Sequence, residues 1–581
     1  MVTQYDLRPE VVIKDFKASW EGYEGIVLKL KETIQEKKHS NFILSIESYP
    51  GVRNEEIVSE IIEKMKPQKI IFSDDIAFDS KTITKMIKRN LTDDRVFGLM
   101  AHHDLEEFFD EEKLKKVQQE IKNAEGLIVI YGTGSTVITP KPDLLIYADL
   151  ARWEIQLRYR AGAPNWKADN EMDDALRKFK RGYFFEWRVA DRQKKKVFAQ
   201  IDFLLDTNLK NHPKMVAGED FRHALKQVAS QPFRLVPYFD ESVWGGQWMK
   251  EHFNLDPSKI NYGWAFDGVP EENSLLLRFG EVQIEVPSIN LVHQFPNELL
   301  GPKVYARFGT EFPIRFDYLD TVGGGNLSLQ VHPLVEYAQE KFGIPYTQNE
   351  SYYILDAKED STIYLGVKDD TTKEDLFEDL RKAEKGNYRF PDEKHINVFP
   401  VKKHDHYSIP AGTVHCGGPN TVVLEISATP YIFTFKLWDW ERIGLDGVPR
   451  PVHLNHGEAN IRMDFNTAWV KNNLINPFET LKENEHEKVE RTGLHELEFI
   501  ETRRYWFKES VEIETFDSVN MLNLVEGEEA IVESIDESFA PFTVHYGETF
   551  IVPEKVKKYI IRNNKQSGKD VAVLQAFVKN L

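Results

Sequence analysis

The texture of the chain changes once, near Pro237, and that change limits the architectures open to it. From Ser19 to about Pro213, helical stretches alternate with apolar runs of strand length. Helical patterning covers Gly25–Lys38, Glu55–Lys66 and Glu106–Asn123, and the apolar runs are Phe42–Ile46, Lys69–Phe72, Leu127–Ile130 and Leu144–Tyr147. Strand and helix at this spacing predict βαβ units on a parallel sheet, a three-layer α/β domain. Beyond Pro237 the apolar runs are short and broken by Gly, Pro and Asn, with helical patches only at Leu334–Phe342 and Thr372–Ala383. Antiparallel barrels and jelly rolls read this way.

The 581 residues exceed what one core organises, since domains run to about 100–200 residues. Three domains are expected: an α/β domain over 1–225, a first barrel over 226–480 and a second over 481–581. The charged stretch KENEHEKVE, Lys482–Glu490, reads as a solvated linker or exposed turn beside the last boundary. An internal echo relates the two barrels. KKHDHYSIPAGTVH at Lys402–His415 answers HYGETFIVPEKVKK at His545–Lys558, with Pro410 opposite Pro553 and His415 opposite Lys558. The second copy has lost the histidine, so the C-terminal barrel is expected to be structural.

A formal charge of −20 argues against a nucleic-acid partner, because binding phosphates along a strand needs a concentrated basic surface. The single cysteine, Cys416, excludes an internal disulfide framework and fits a reducing compartment. The N-terminal MVTQYDLRPEVVIKDF lacks the apolar core of a signal peptide, and no apolar run approaches the roughly 18 residues of a membrane span. A cytoplasmic protein with no membrane contact is expected, and self-association is left open.

One constellation carries chemistry. In LSLQVHP, Gln330 and His332 are two residues apart, so on a strand both face the same side and can share an ion. Glu350 precedes the alternating run SYYIL and can enter the same barrel from a neighbouring strand. His415 ends the turn PAGTVH, whose Pro and Gly aim the imidazole inward. Two imidazoles, a carboxylate and an amide oxygen suit zinc with an open position, and leave iron, manganese or cobalt open. His404 and His406 alternate on one strand but fall in a charged, turn-like stretch where exposed histidines are common. His102 and His103 are adjacent and face opposite sides of a strand, and Cys416 points away from the ion as core packing.

With those residues assembled, the chain from about Arg234 to Leu581 resembles the class I mannose-6-phosphate isomerases of the short, double-cupin form. The resemblance rests on VWGGQWM at Val243–Met249, ELLGP at Glu298–Pro302, LSLQVHPLVEYA at Leu327–Ala338, ESYYILDA at Glu350–Ala357, PAGTVH, LEIS at Leu424–Ser427 and WDWERIGLDGVPRPVHL at Trp438–Leu454. It implies two cupin jelly rolls after the α/β domain. It also implies zinc on Gln330, His332, Glu350 and His415, a sugar phosphate held in part by Ser328, and Glu425 as the base that moves a proton between C1 and C2 of mannose 6-phosphate or fructose 6-phosphate through a cis-enediol. Glu425 lies in the apolar strand VVLEI, where either catalysis or a salt bridge accounts for a buried acid. Two positions depart from the family: Gln348 stands where it commonly has lysine, and Lys436 where it has arginine. Lys436 keeps charge without the planar fork of arginine. Arg442 matches the family's second arginine and reads either as a phosphate holder or as the partner of Asp439 or Asp446. A non-catalytic metal-containing sugar-phosphate sensor is the rival that Gln348 and Lys436 favour.

The segment FILSIESYPGVRNEEIVSEII, Phe42–Ile62, runs strand, turn, helix like a nucleotide-binding loop in weakened form. Gly51 fits the second glycine of that loop, Ile46 replaces the first, Val52 the lysine and Arg53 the hydroxyl residue, which disfavours phosphoryl transfer. LIVIYGTGSTV at Leu127–Val137 resembles the strand and glycine turn of nucleoside-kinase-like proteins. Arg152, Arg158 and Arg160 offer an anion-binding helix face for a phosphorylated ligand, or else pair with Glu154 and Asp149.

Overall fold

The computed structural model describes residues 4–37, 40–428, 431–445, 447, 449–494, 498–564 and 570–579; Lys38 and Asp446, named above, lie outside them. The chain forms two compact units, one of Glu10–Val228 with Ser274–Phe295, the other of Met1–Pro9, Ala229–Asn273 and Pro296–Leu581.

In the first unit, Asn41–Ser48 lies between Gly126–Gly132 and Leu144–Asp149, with Lys69–Phe72 beyond the former and Phe203–Asp206 beyond the latter, all parallel. Lys214–Ala217 and Ser19–Glu21 extend the Phe203 side antiparallel. The central strands are buried along nearly their whole length on both faces, as a parallel sheet requires. Numbered along the chain, the parallel strands lie in the order 2-3-1-4-5. Helix Glu111–Lys122 buries Val117 and Ile121 in a cluster with Ile128 and Ile130 of the third strand. The helix expected over Glu55–Lys66 forms with a π-helical turn, Val58–Ile62, in its middle.

The hairpin Ser274–Phe279 and Val282–Pro287 pairs with Glu10–Val12, and Asp206 accepts the Glu285 N–H at 2.8 Å. Segment 274–295, placed in the first barrel on sequence, folds with the α/β unit instead. Sequence distance hid this, because the contacts that recruit it lie some 70 to 270 residues away.

The second unit contains two pairs of antiparallel sheets. Six strands run in the order His406–Ile409, Asn349–Ala357, Thr421–Ala428, Arg315–Asp320, Trp264–Gly268, Tyr238–Asp240. Five more run Ile396–Pro400, Thr362–Val367, His415–Gly417, Leu329–Val331, Phe435–Trp438. The C-terminal pair, of six and four strands, encloses an apolar core that includes Phe507, Leu522, Val532, Phe550, Tyr559 and Ile561. Lys558, opposite His415 in the internal echo, is exposed and pairs with Glu514 at 2.7 Å.

Two expectations are corrected here. Of the two readings of Lys482–Glu490 the exposed turn holds and the linker does not: Glu479–Glu483 and Glu487–Thr492 form a hairpin at the sheet edge, turned by Asn484, whose side chain accepts from the N–H groups of His486 and Glu487. Its charges mark a protected edge strand, a device that blocks further pairing. His406 is not exposed but fully buried, bonded through Nε2 to Ser351 at 2.8 Å and through Nδ1 to Thr492 at 3.0 Å.

Burial, with Arg504 nearby, pushes His406 down to about 3. An unfolded histidine titrates near 6.5, so below that pH the unfolded chain takes up a proton that the folded chain refuses. The stability this residue contributes is present above pH 6.5 and is lost as pH falls towards 3, by about 2 kcal/mol at pH 5. Urea unfolding at pH 7 and pH 5 should show this loss in the natural protein and a smaller one in His406→Gln. Equal losses in both would contradict the assignment.

Candidate metal centre

The site forms where the first pair of sheets face one another. Register places Gln330 opposite His415 on one side and Lys436 on the other, so three adjacent strands of the five-stranded sheet offer these side chains to one face, with His332 two residues beyond Gln330. On the six-stranded sheet Glu425 lies between Asp317 and Tyr352, and Glu350, two residues before Tyr352, shares their face.

The PAGTVH turn is held by its own backbone. Thr413 N–H donates to Pro410 O at 3.1 Å, and Gly412 N–H donates to His332 O at 3.0 Å, tying the turn to another candidate ligand. Gly412 has φ +87°, and a Cβ there would lie 2.9 Å from Asn460 O, so both conformation and space require glycine.

Both histidines are oriented by carbonyls. His332 Nδ1 lies 2.7 Å from Phe433 O and His415 Nδ1 2.9 Å from Thr413 O. A carbonyl only accepts, so each Nδ1 carries the hydrogen and each Nε2 presents a lone pair. Those Nε2 atoms meet Glu350, His332 at 3.1 Å from Oε2 and His415 at 2.8 Å from Oε1. Lone pairs of two imidazoles thus converge on a carboxylate that also only accepts. All three side chains are fully buried, and His332 Nε2 and Glu350 Oε1 have no hydrogen-bond partner. Such an arrangement costs free energy unless a cation sits among the donors. The Gln330 amide lies 3.1 Å from His415 Nε2, within reach of the same point. Among the described residues His332, Glu350 and His415 are the one group of three or more His, Cys, Asp or Glu side chains close enough to hold a metal ion.

Gln348 is buried and doubly anchored: its carbonyl accepts from Phe433 N–H at 2.9 Å and its amine donates to Glu350 Oε2 at 2.9 Å. Phe433 therefore fixes both His332 and the strut against Glu350. The Gln348 amine also lies 3.5 Å from Glu425 Oε1. Burial, reinforced by Asp317 and Glu350, raises the Glu425 carboxyl well above its ordinary range, and burial raises Asp317 to about 7.

Ser328, two residues before Gln330, donates to Asp439 at 2.7 Å. Arg442 pairs with the same carboxylate at 2.7 Å, the salt bridge weighed on sequence, and reaches Asn326 O at 2.6 Å. Arg450 joins them, 3.1 Å from Asp439 and 3.4 Å from Ser328. Sequence reasoning missed Arg450; its only signal was a second arginine a few residues after WDWER. Cys416 is buried and its thiol donates to Leu327 O, as expected of core packing.

The glycine turns of the α/β unit are filled by the unit's own side chains. Glu47 accepts from the N–H groups of Gly134 at 2.6 Å and Thr136 at 2.8 Å, occupying the turn of LIVIYGTGSTV. Arg53 pairs with Glu154, and Arg158 with Glu154 and with Gly51 O. Arg152 is buried against Asp191, while Lys194 takes Asp149, and Arg160 stacks over Trp153. The arginines do not share a helix face open to an anion.

Fold and donors together describe a protein with a buried, metal-competent centre between antiparallel sheets, joined to a separate α/β unit. Comparison with known proteins gives the particular likeness. Residues 22–230 match a family described as "Domain of unknown function (DUF8485)". The chain is 26% identical over 228 residues to mannose-6-phosphate isomerase ManA of Bacillus subtilis, covering 39% of this chain and 67% of that protein. It is 22% identical over 332 residues to the mannose-6-phosphate isomerase of Streptococcus mutans, covering 57% of this chain and 95% of that one. The match thus spans about two thirds of the Bacillus protein's length. Among solved structures, the Bacillus subtilis mannose 6-phosphate isomerase superposes with a TM-score of 0.49 at 19% identity, over 60% of this chain and 99% of that one. A zinc-bound mannose 6-phosphate isomerase superposes with a TM-score of 0.46 at 15% identity, over 60% and 100%. Among the described residues no helix is long and apolar enough to cross a membrane.

Proposed function

We propose that the protein is a cytoplasmic, metal-dependent aldose–ketose isomerase of the class I short form that interconverts mannose 6-phosphate and fructose 6-phosphate. The observation that carries this reading is the convergence of His332 and His415 lone pairs on Glu350, with Glu425 on the facing sheet. The metal would be held by Gln330, His332, Glu350 and His415, a mixed nitrogen and oxygen set that suits zinc and also accepts iron, manganese or cobalt. Such an ion, when bound, polarises carbonyl and hydroxyl oxygens of a sugar. Both sheet pairs are read as cupins, the catalytic one within 229–480 apart from segment 274–295 and a structural one over 481–581, after a degenerate P-loop-like domain over 10–228 that takes in segment 274–295.

Glu425 is the proton carrier in this reading. Its carboxylate takes the proton from one of C1 and C2 and returns it to the other through a cis-enediol. Gln348 orients Glu350 and offers Glu425 a donor. Ser328, Arg442 and Arg450 cluster two residues along the strand from Gln330, about 7 Å away. That suits them to the phosphate end of a sugar whose carbonyl end reaches the metal, and Lys436, beside Gln330 in the sheet, adds positive charge between.

Metal-loaded protein given fructose 6-phosphate in deuterated water should form mannose 6-phosphate carrying deuterium at C2. Absence of turnover with several hexose phosphates, despite bound metal, would reject the isomerase and favour a sugar-phosphate sensor.

A further inference from the structure

The α/β unit contains a cleft of about 670 Å³ between the stretch Ser80–Leu91 and the helix Ala175–Arg181. Lys81, Lys85 and Lys88 line it from the first element, and Arg177, Lys180 and Arg181 from the second. Only two carboxylates, Asp169 and Asp173, line it with them. Asp174 pairs with Arg177 and Glu186 with Arg181, each at 3.4 Å, and the remaining lysines leave the cleft net positive in a chain of formal charge −20.

Lys81 and Lys85 stand four residues apart in the helix Ser80–Met86, like charges side by side on one face, and Lys88 opens the next short helix, Lys88–Leu91. Their ammonium groups form no ion pair or hydrogen bond among the described residues. Lys180 is more telling. It is only 5% exposed, its ammonium donates to Asp94 O, and among the described residues no carboxylate pairs with it. Burial, helped by Arg177, lowers its pKa against the opposing pull of Asp94, Asp93 and Asp174. Arg181 pairs with Glu186 and also reaches Thr84 at 3.2 Å, holding the two walls together.

We propose that this cleft binds a small molecule carrying two or more phosphate groups. Two basic stripes facing each other suit several anionic oxygens at once. The volume falls in the range of small-molecule sites, about 300–1,000 Å³, and leaves room for an organic body beyond the phosphates. The site is distinct from the glycine turns at the strand ends, which Glu47 and Arg158 fill.

Calorimetric titration of the full chain with pyrophosphate and with ATP, and with citrate at matched ionic strength, tests the assignment. Both phosphate compounds should bind with Kd below about 1 mM and citrate roughly tenfold more weakly. The Lys81→Ala/Lys85→Ala/Lys88→Ala variant should melt as the natural protein does yet bind at least roughly tenfold more weakly, with a shallower salt dependence. Lys85→Glu alone should move affinity in the same direction. No binding of either phosphate compound at about 10 mM, unchanged affinity in the folded variants, or equal affinity for citrate would each overturn the proposal.

Discussion

Glu425→Gln lowers turnover by about 10²–10⁴-fold and leaves the metal content unchanged; that is the expected outcome if Glu425 carries the proton. The substitution keeps shape and hydrogen-bonding capacity and removes only the basic oxygen. Glu425 faces the site from the six-stranded sheet, between Asp317 and Tyr352, and belongs to no cluster with the histidines. Metal analysis beside the rate assay separates the two roles: lost metal would make Glu425 part of the ion's support, and retained activity would remove it from the chemistry.

The second large effect is expected at His415. His415→Ala deletes one of two lone pairs aimed at Glu350 and leaves that buried carboxylate with a single imidazole. Metal affinity should fall by more than about 100-fold, since even partners that only orient a ligand are worth 10–100-fold. Stability reports the same quantity. At free metal about 1,000 times Kd, binding stabilises the natural protein by about 4 kcal/mol, and a 100-fold weaker site retains little more than about 1 kcal/mol. Melting curves with and without added zinc should therefore diverge for the natural protein and nearly coincide for His415→Ala. Equal shifts in both would place the ion elsewhere.

Much of this site was legible because local spacing encodes it. Gln330 and His332 share a face by strand alternation, and Pro410 with Gly412 announces the turn that delivers His415. The parallel sheet was legible too, since strands buried on both faces read as unbroken apolar runs. What stayed hidden depends on pairing across long sequence distances. Phe433 orients both His332 and Gln348 through its backbone, which no side-chain pattern records. His406 sits among charged neighbours in sequence, yet strand pairing buries it between Ser351 and Thr492. Glu47 lies just past the apolar run Phe42–Ile46, and only the neighbouring parallel strand brings the Gly134 turn onto it.

An anomalous-scattering map from a crystal of the zinc-supplemented protein, recorded at the metal edge, tests the central claim most directly. A single strong peak in contact with Gln330, His332, Glu350 and His415 is the predicted result. A map with no peak there, or with those four side chains turned away from a common point, would contradict it.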